Sequence, residues 1–409
     1  MSGASQSTPP TNGVGDRQPH RVMLSIGGKL IAVDAPSAAL AERTRRDWSW
    51  CLAPSRDDDP AAVVAPATRM SEADWCRVIE REITTVTITQ HIGAAVILHA
   101  GAVADDSGRV IVLVAASGVG KSTATLGLAR RGLRYVTDET VVILPDGEVI
   151  GYPKPLAFRP ADAETPIKEV IGPEELGLAP AAERLQAARI VLLDRRPGSV
   201  PPHLRQLEHL AALLALIAQS SSVDRLPRPL RTLSELVDRC HGVQRLVYSD
   251  SEDAVPLLRR LLVTTGTPGL PRTRRPHLDV PSPEDELWGF LDGRIRRRTG
   301  LDIAPGDSTE DGALVLVKNL PARLSPLGRL LWQGCRHSAT PEHLLSLASA
   351  ELGHHPDASL LVDRALTSLC DAGILARGFP VPMTRIMRAD RAEGSGERPH
   401  FRQSHVPDS

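Results

Sequence analysis

Leu113–Gly147 reads LVAASGVGKSTATLGLARRGLRYVTDETVVILPDG. An aliphatic run, Val110–Val114, leads into a turn of small residues, and helix formers then run from Lys121 to Arg131 until Gly132 stops them. Strand, small-residue turn and helix are the parts of a phosphate-binding loop, which needs inward-turned main-chain N–H groups, a helix N-terminus behind them and a lysine for the outer phosphates. The order Gly118-Val119-Gly120-Lys121-Ser122 arises by chance in a chain of this length about one time in a hundred at average usage. Ala115 stands where the pattern G-x-x-x-x-G-K-[ST] opens on glycine; a methyl there tightens the turn without blocking a phosphate.

The chemistry assigns roles within the loop. Lys121 neutralises β- and γ-phosphate oxygens, Ser122 offers its hydroxyl to Mg²⁺, and Gly118 and Gly120 let the main chain approach the anion. Ser117, Val119 and Thr123 complete the cradle. The second element is Arg134–Thr140, RYVTDET, a short strand running into Asp138-Glu139 directly after the loop's helix. One carboxylate would bind Mg²⁺ and the other accept a hydroxyl proton, as phosphoryl transfer requires; a solvated acidic turn is the competing reading. A rival acidic site is Asp194, at the end of the strand-like RIVLLDRR, where pairing with Arg195 or Arg196 is the alternative role.

The run from Ile97 to Ile143, ILHAGAV through DETVVI, resembles the HPr kinase family of serine kinases, and most of all the short branch found beside peptide-maturation enzymes. The resemblance covers about residues 85–160 well and the chain to 264 loosely. It implies ATP and Mg²⁺ as cofactors, His99 as the family's histidine on the strand before the loop, Asp138 as catalytic base and Glu139 as metal ligand. Pro153-Lys154-Pro155 matches that branch's Pro-Lys-Pro stretch and places Lys154 toward the phosphates, against its bland reading as a surface lysine. The loop opens on Ala115-Ala116 rather than the family's usual start, and the glycine-rich signature linked with phosphorolysis is absent after Pro153–Leu156.

The 409 residues carry 42% hydrophobic and 24% charged side chains with a net charge of -1, which fits a soluble globular protein and excludes a generic polyanion binder. Aromatics make up 3%, so the cores are aliphatic. The five scattered cysteines form no C-x-x-C pair, which favours reduced thiols over a zinc ribbon or a disulfide framework. No signal pattern opens the sequence and no apolar run is long enough to cross a bilayer, so a cytoplasmic protein is expected.

Composition divides the chain into a disordered tail (1–20), an α/β phosphate-loop domain with a mixed sheet (21–263), a Pro/Gly/Thr linker (264–283), a small α+β module (284–379) and a second polar tail (380–409). In the module, GALVLV (312–317) reads as a strand and SPLGRLLWQGC as a helix. Thr340-Pro341 and Asp357 announce two further helices. The Leu324–Trp332 helix, the T-x-E-x-L start and the closing L-x-x-x-G-I-L resemble a winged-helix-like, PqqD-like peptide-recognition domain. That resemblance implies a leader peptide adding as a strand at 284–379, with Leu314, Leu316 and Leu324 as candidate contacts or, equally, core residues.

The expectation is therefore an ATP-dependent Ser/Thr kinase acting on a ribosomally made precursor peptide. Its partners would be that peptide and other peptide-maturation enzymes, with no membrane or nucleic acid. Two alternatives stand beside it: a non-catalytic, nucleotide-binding module that delivers the precursor, and a nucleotide-responsive DNA-binding regulator using the basic clusters RTRRP (272–276) and RIRRR (294–298).

Overall fold

A computed structural model describes residues 20–54, 58–66, 70–116, 118–158, 169–263, 294–298, 301–308, 311–317, 320–336 and 338–378. Both expected tails except His20, the expected linker and the Ser117 assignment lie outside the described residues. The chain divides into two compact units, Met1–Thr273 and Arg274–Ser409.

The first unit opens with a hairpin, β1 (His20–Ile26) and β2 (Lys29–Ala35), turning on Gly27 and Gly28, both with positive φ. Helix α1 (Ala38–Asp47), strand β3 (Ala62–Val64, parallel to β2) and helix α2 (Glu72–His91) complete an N-terminal layer. Helix α2 runs 20 residues, because Ser71 caps its start and Trp75, Cys76, Ile79 and Ile83 keep one face buried. Trp48, Trp75, the hairpin's apolar residues and Tyr152 share one core.

Next come β4 (Val96–Leu98), β5 (Ala100–Ala104), β6 (Arg109–Val114), α3 (Lys121–Arg130), β7 (Arg134–Thr137), β8 (Val141–Ile143), β9 (Leu156–Phe158) and β10 (Glu169–Ile171). They are followed by β11 (Gln186–Arg195), β12 (His203–Gln206), α4 (His209–Ile217), α5 (Pro229–Arg239), β13 (Val243–Tyr248) and α6 (Val255–Val263). The segment from Leu204 to Gln219, whose apolar residues fall at helical spacing, begins as an edge strand and turns helical only at His209.

The main sheet is mixed, in the order β12-β13-β11-β6-β5-β7. Strands β6, β11 and β13 are parallel, while β5 runs against both β6 and β7. Their apolar runs are buried on both faces, as parallel strands require.

Helix α3 lies close to the sheet because small residues let it. Ala124, Thr125 and Ala129 are buried, and β5 presents Gly101 to Thr125. Gly132 ends the helix in a left-handed turn, with Gly132 N–H donating to Ala129 O and Leu133 N–H to Leu128 O, a Schellman closure.

The second unit is a small α+β body. Among the described residues it holds β14 (Ile295–Arg297) paired with β18 (Leu375–Arg377), and an antiparallel sheet of β15 (Asp302–Pro305), β16 (Ala313–Val317) and β17 (Leu320–Leu324). Helices α7 (Pro326–Gly334), α8 (Pro341–Leu352) and α9 (Ala358–Asp371) pack with Trp332 at the centre of its core. Ser325 and Thr340 cap their helices through side-chain oxygens, each followed by proline; Asp357 precedes α9 without a side-chain cap bond.

The closeness of α3 to β5 is testable. A Cβ on Gly101 would collide with Thr125 Oγ1. Gly101→Ala is expected to cost about 1–3 kcal/mol in urea unfolding, and adding Thr125→Ala to recover part of it, because the collision and the buried hydroxyl vanish together.

Candidate functional site

The loop Ala115–Gly120 leaves β6 at the carboxyl end of the parallel strands and enters α3, with Gly118 and Gly120 both at positive φ. Left-handed main chain of this kind turns consecutive N–H groups toward one point and makes an anion cradle. Ala115 has no such φ, and its methyl lies in the core under the sheet. The missing glycine is therefore a packing residue and leaves the cradle open.

Lys121 is buried, and its Nζ donates to Ala115 O at 2.9 Å and Ala116 O at 3.5 Å. Burial lowers its pKa, while the charges of Asp138 and Glu139 raise it. The ammonium thus lies within electrostatic range of the acidic pair.

That meeting follows from a break shared by two neighbouring strands. Leu98 of β4 pairs with Val141 of β8 in one small ladder, whereas Ala102 of β5 pairs with Thr137 of β7 in the main sheet. Between these pairings His99 sits on one chain and Asp138-Glu139-Thr140 on the other. Ala100 N–H donates to Glu139 O at 3.1 Å, and Thr137 Oγ1 to Thr140 O at 3.1 Å, which closes the turn. Glu139 adopts φ 78, a left-handed conformation that side chains rarely accept and that collects at functional sites. His99 is half-buried; desolvation and then Lys121 hold its pKa below the usual histidine value, against the pull of Glu139 and Asp138.

Asp138 is buried, and its Oδ1 has no hydrogen-bond partner, as is true of the nearby Thr125 Oγ1. An unpaired buried acceptor costs about 1–3 kcal/mol, so this one calls for an incoming donor. A substrate hydroxyl is such a donor. Ser122, half-buried at the first turn of α3, and Glu139, whose side chain is 50% exposed, offer the few oxygens that Mg²⁺ takes from protein when phosphates supply others. Among the described residues no group of three or more His, Cys, Asp or Glu gathers to hold a metal, so such an ion would depend on phosphate oxygens for most of its ligands.

Lys154 departs from the surface reading. Its side chain is 1% exposed, its Nζ donates to Glu139 Oε2 at 2.9 Å, and it also pairs with Glu80 of α2. Its main-chain oxygen accepts from Tyr135 Oη at 2.9 Å. It meets the acidic turn rather than standing free. Burial pushes the Glu80 carboxyl up, opposed by Lys154 and reinforced by Glu139. Glu139 also feels desolvation, but Lys154 prevails and holds it below the ordinary range. The negative charge belongs on the half-exposed Glu139, where water lowers its cost.

Glu80, Gly101 and Thr125 carry no motif that marks them in the sequence. Beside Glu80 and Glu139 opens a groove of about 500 Å³, walled by Val78, Arg81 and Thr84 of α2 and by Ala157 and Val170. Asp194 is engaged elsewhere, paired with Arg196 at 2.8 Å and near Arg245 at 3.7 Å.

In the second unit Leu314, Leu316 and Leu324 are all buried, and Leu324 belongs to the core; the exposed apolar residue of this sheet is Leu320, at 72% on the edge strand β17. Arg297 of the RIRRR cluster is also buried, stacked 3.6 Å from the Trp332 ring centroid and donating to Trp332 O and Gln333 O.

No protein-family model matches the chain. Among curated proteins, the HPr kinase/phosphorylase of Shouchella clausii is 28% identical over 130 residues, 31% of this chain and 39% of that enzyme. The match thus spans about two fifths of the relative's length. Among solved structures, the Hpr(Ser) kinase/phosphatase from Coxiella burnetii aligns at 17% identity with a TM-score of 0.23, covering 40% of this chain and 92% of that one. The sequence similarity supports the kinase-like, nucleotide-binding reading made from the phosphate loop. No helix among the described residues is long and apolar enough to cross a membrane.

Two outcomes follow from the buried charges. Lys154→Met is expected to destabilise the first unit by about 3 kcal/mol, read as a lower urea midpoint, because it strands Glu80 beside Glu139. His99, with its lowered pKa, adds stability that is full above the ordinary histidine value near 6.5 and fades as pH falls through the lower folded-state pKa. His99→Gln is expected to flatten the decline in melting temperature below that pH relative to the parent.

Proposed function

We propose that the chain is an ATP-dependent kinase that phosphorylates a Ser or Thr hydroxyl of a ribosomally made precursor peptide held by its second unit. The observation that carries the phosphotransfer reading is a cradle of positive-φ glycines leading into Lys121, with Asp138 and Glu139 within electrostatic range of its ammonium.

In this reading the cradle of Gly118, Gly120 and the α3 N-terminus binds the phosphates, and Lys121 takes up charge that develops on the transferred group. Asp138, with its unpaired Oδ1, accepts the proton of the attacking hydroxyl. Ser122 and Glu139 would hold Mg²⁺, which supplies charge neutralisation between the outer phosphates. Lys154 keeps Glu139 ionised and in place, and neutral His99 lines the same opening. The groove beside Glu139 gives an extended hydroxyl-bearing segment a route to the carboxylates.

The peptide part of the proposal rests on the module's sequence resemblance and on β17, an edge strand with an exposed leucine, which suits main-chain pairing with an extended ligand. Tethering a peptide on the same chain raises its effective concentration at the transfer site. The DNA-binding alternative loses weight because Arg297, the fourth residue of RIRRR, is spent inside the module on Trp332.

The test is phosphate transfer from ATP-Mg²⁺ to a candidate precursor peptide, sought among short open reading frames neighbouring this chain's gene, read by intact mass. One added phosphate is expected, with Lys121→Ala and Asp138→Asn each lowering the rate at least about a hundredfold. Bound ATP and bound peptide without transfer would instead favour the precursor-delivery alternative.

A further inference from the structure

A second opening lies on the other flank of α3. A cavity of about 290 Å³ is lined by Gly120, Thr123 and Gly127 of the loop and helix, by Arg195 and Tyr248 at the ends of β11 and β13, and by Asp250 just beyond. It therefore sits outside the carboxyl ends of the parallel strands, where open α/β sheets bind ligands. Thr123 follows Lys121-Ser122 on the helix, so the cavity continues from the inner end of the phosphate cradle, away from Asp138 and Glu139.

Two independent features point to a ligand. Tyr248 is 2% exposed, and its hydroxyl has no hydrogen-bond partner among the described residues, an uncommon state for a buried polar group. Arg195 is held by its Nε on Ser249 O at 3.2 Å, which leaves its Nη1 beside Gly120, 3.8 Å from the position a Cβ there would take. One wall thus offers an unused hydroxyl, and the rim next to the cradle offers a fixed cation. Ligand pockets range from about 300 to 1,000 Å³. A site just below that range, joined to a separate phosphate cradle, fits part of a nucleotide rather than the whole.

We propose that this cavity receives the nucleoside half of the nucleotide, with the Tyr248 hydroxyl bonding the base or sugar and Arg195 bridging toward the inner phosphate. The inference rests on the phosphate-loop reading above and extends it to residues that no motif marks. Asp250, exposed at the rim, adds a carboxylate of the kind that accepts from ribose hydroxyls. The base and the acceptor then occupy opposite flanks of α3, and the transferring phosphate lies between them at Lys121.

The experiment titrates the full chain, in the presence of Mg²⁺, with ATP and with inorganic tripolyphosphate, which carries the phosphates alone. Wild type is expected to bind both, ATP at least about tenfold more tightly. Tyr248→Phe, which keeps the ring, is expected to remove about three- to tenfold of ATP affinity and none for tripolyphosphate. Gly127→Leu should erase the preference for ATP. A Cβ there meets only Ser251 Oγ at 3.5 Å, so the new side chain enters the cavity while leucine also favours the helix. Equal wild-type affinity for the two ligands, or a full ATP preference in both variants, overturns the proposal. Failure of the underlying reading looks different: tripolyphosphate then does not bind wild type, or binds Lys121→Ala equally well, and the cavity assignment falls with it.

Discussion

A lysine ammonium buried to 1% exposure cannot stand alone, and the first unit is arranged around meeting that demand at Lys154. Glu80 reaches it from α2 and Glu139 from the turn after β7, two residues 59 positions apart in the sequence. One helical turn further on, Thr84 meets Tyr152 Oη at 2.8 Å, so a single face of α2 grips both ends of the Tyr152-Pro153-Lys154 segment. Tyr152 is itself packed into the N-terminal layer, its ring 6.0 Å from that of Trp48. The hairpin and its helices are thereby coupled to the acidic turn: their packing fixes α2, α2 fixes Lys154, and Lys154 fixes the charge and position of Glu139. Buried ion groups of this kind add little net stability over an apolar replacement, but they specify one arrangement, and here the arrangement specified is that of the site.

The parts of the site legible in the sequence are those whose logic is local. Gly118, Gly120, Lys121 and Ser122 declare themselves by spacing, because a cradle of consecutive N–H groups has to be built from consecutive residues. Asp138 and Glu139 follow in the turn just past the next strand, close enough to the loop in sequence to be read with it. Glu80 and Thr125 were not legible: each matters through a contact made across tens of residues, and a glutamate or a threonine on a helix announces nothing. Gly101 is similar, since a glycine in a strand signals close approach without saying what approaches. Lys154 was visible as part of Pro-Lys-Pro, but its burial was not, because an isolated lysine between prolines carries no sign of the two carboxylates that enclose it.

The fold follows the same division. The β1–β2 turn, the closure of α3 at Gly132 and the Ser325 and Thr340 caps all form where turn and cap chemistry place them. The stretch from Leu204 to Gln219 was misleading because its apolar spacing suits a helix throughout, whereas Leu204–Gln206 is claimed by pairing with β13. In the second unit RIRRR looks like a solvated basic patch, yet alternation along β14 sends Arg297 inward onto Trp332. A cation over an indole, with its N–H groups on helix-end carbonyls, is an internal fastening, and charge counting alone does not distinguish it from a nucleic-acid contact.

Ala115 brings these scales together. The usual glycine at the head of a phosphate loop is needed where the main chain is left-handed or where a side chain would intrude on the anion. Neither holds here, because Ala115 has no positive φ and its methyl fills the core beside Ala124 and Leu113. The two glycines that do adopt positive φ, Gly118 and Gly120, are retained. The loop therefore departs from the pattern where the departure serves packing and keeps to it where the anion needs the main chain. The same carbonyl that follows the Ala115 methyl accepts from Lys121 Nζ at 2.9 Å, so the altered position still helps to hold the cation that lies within electrostatic range of the acidic turn.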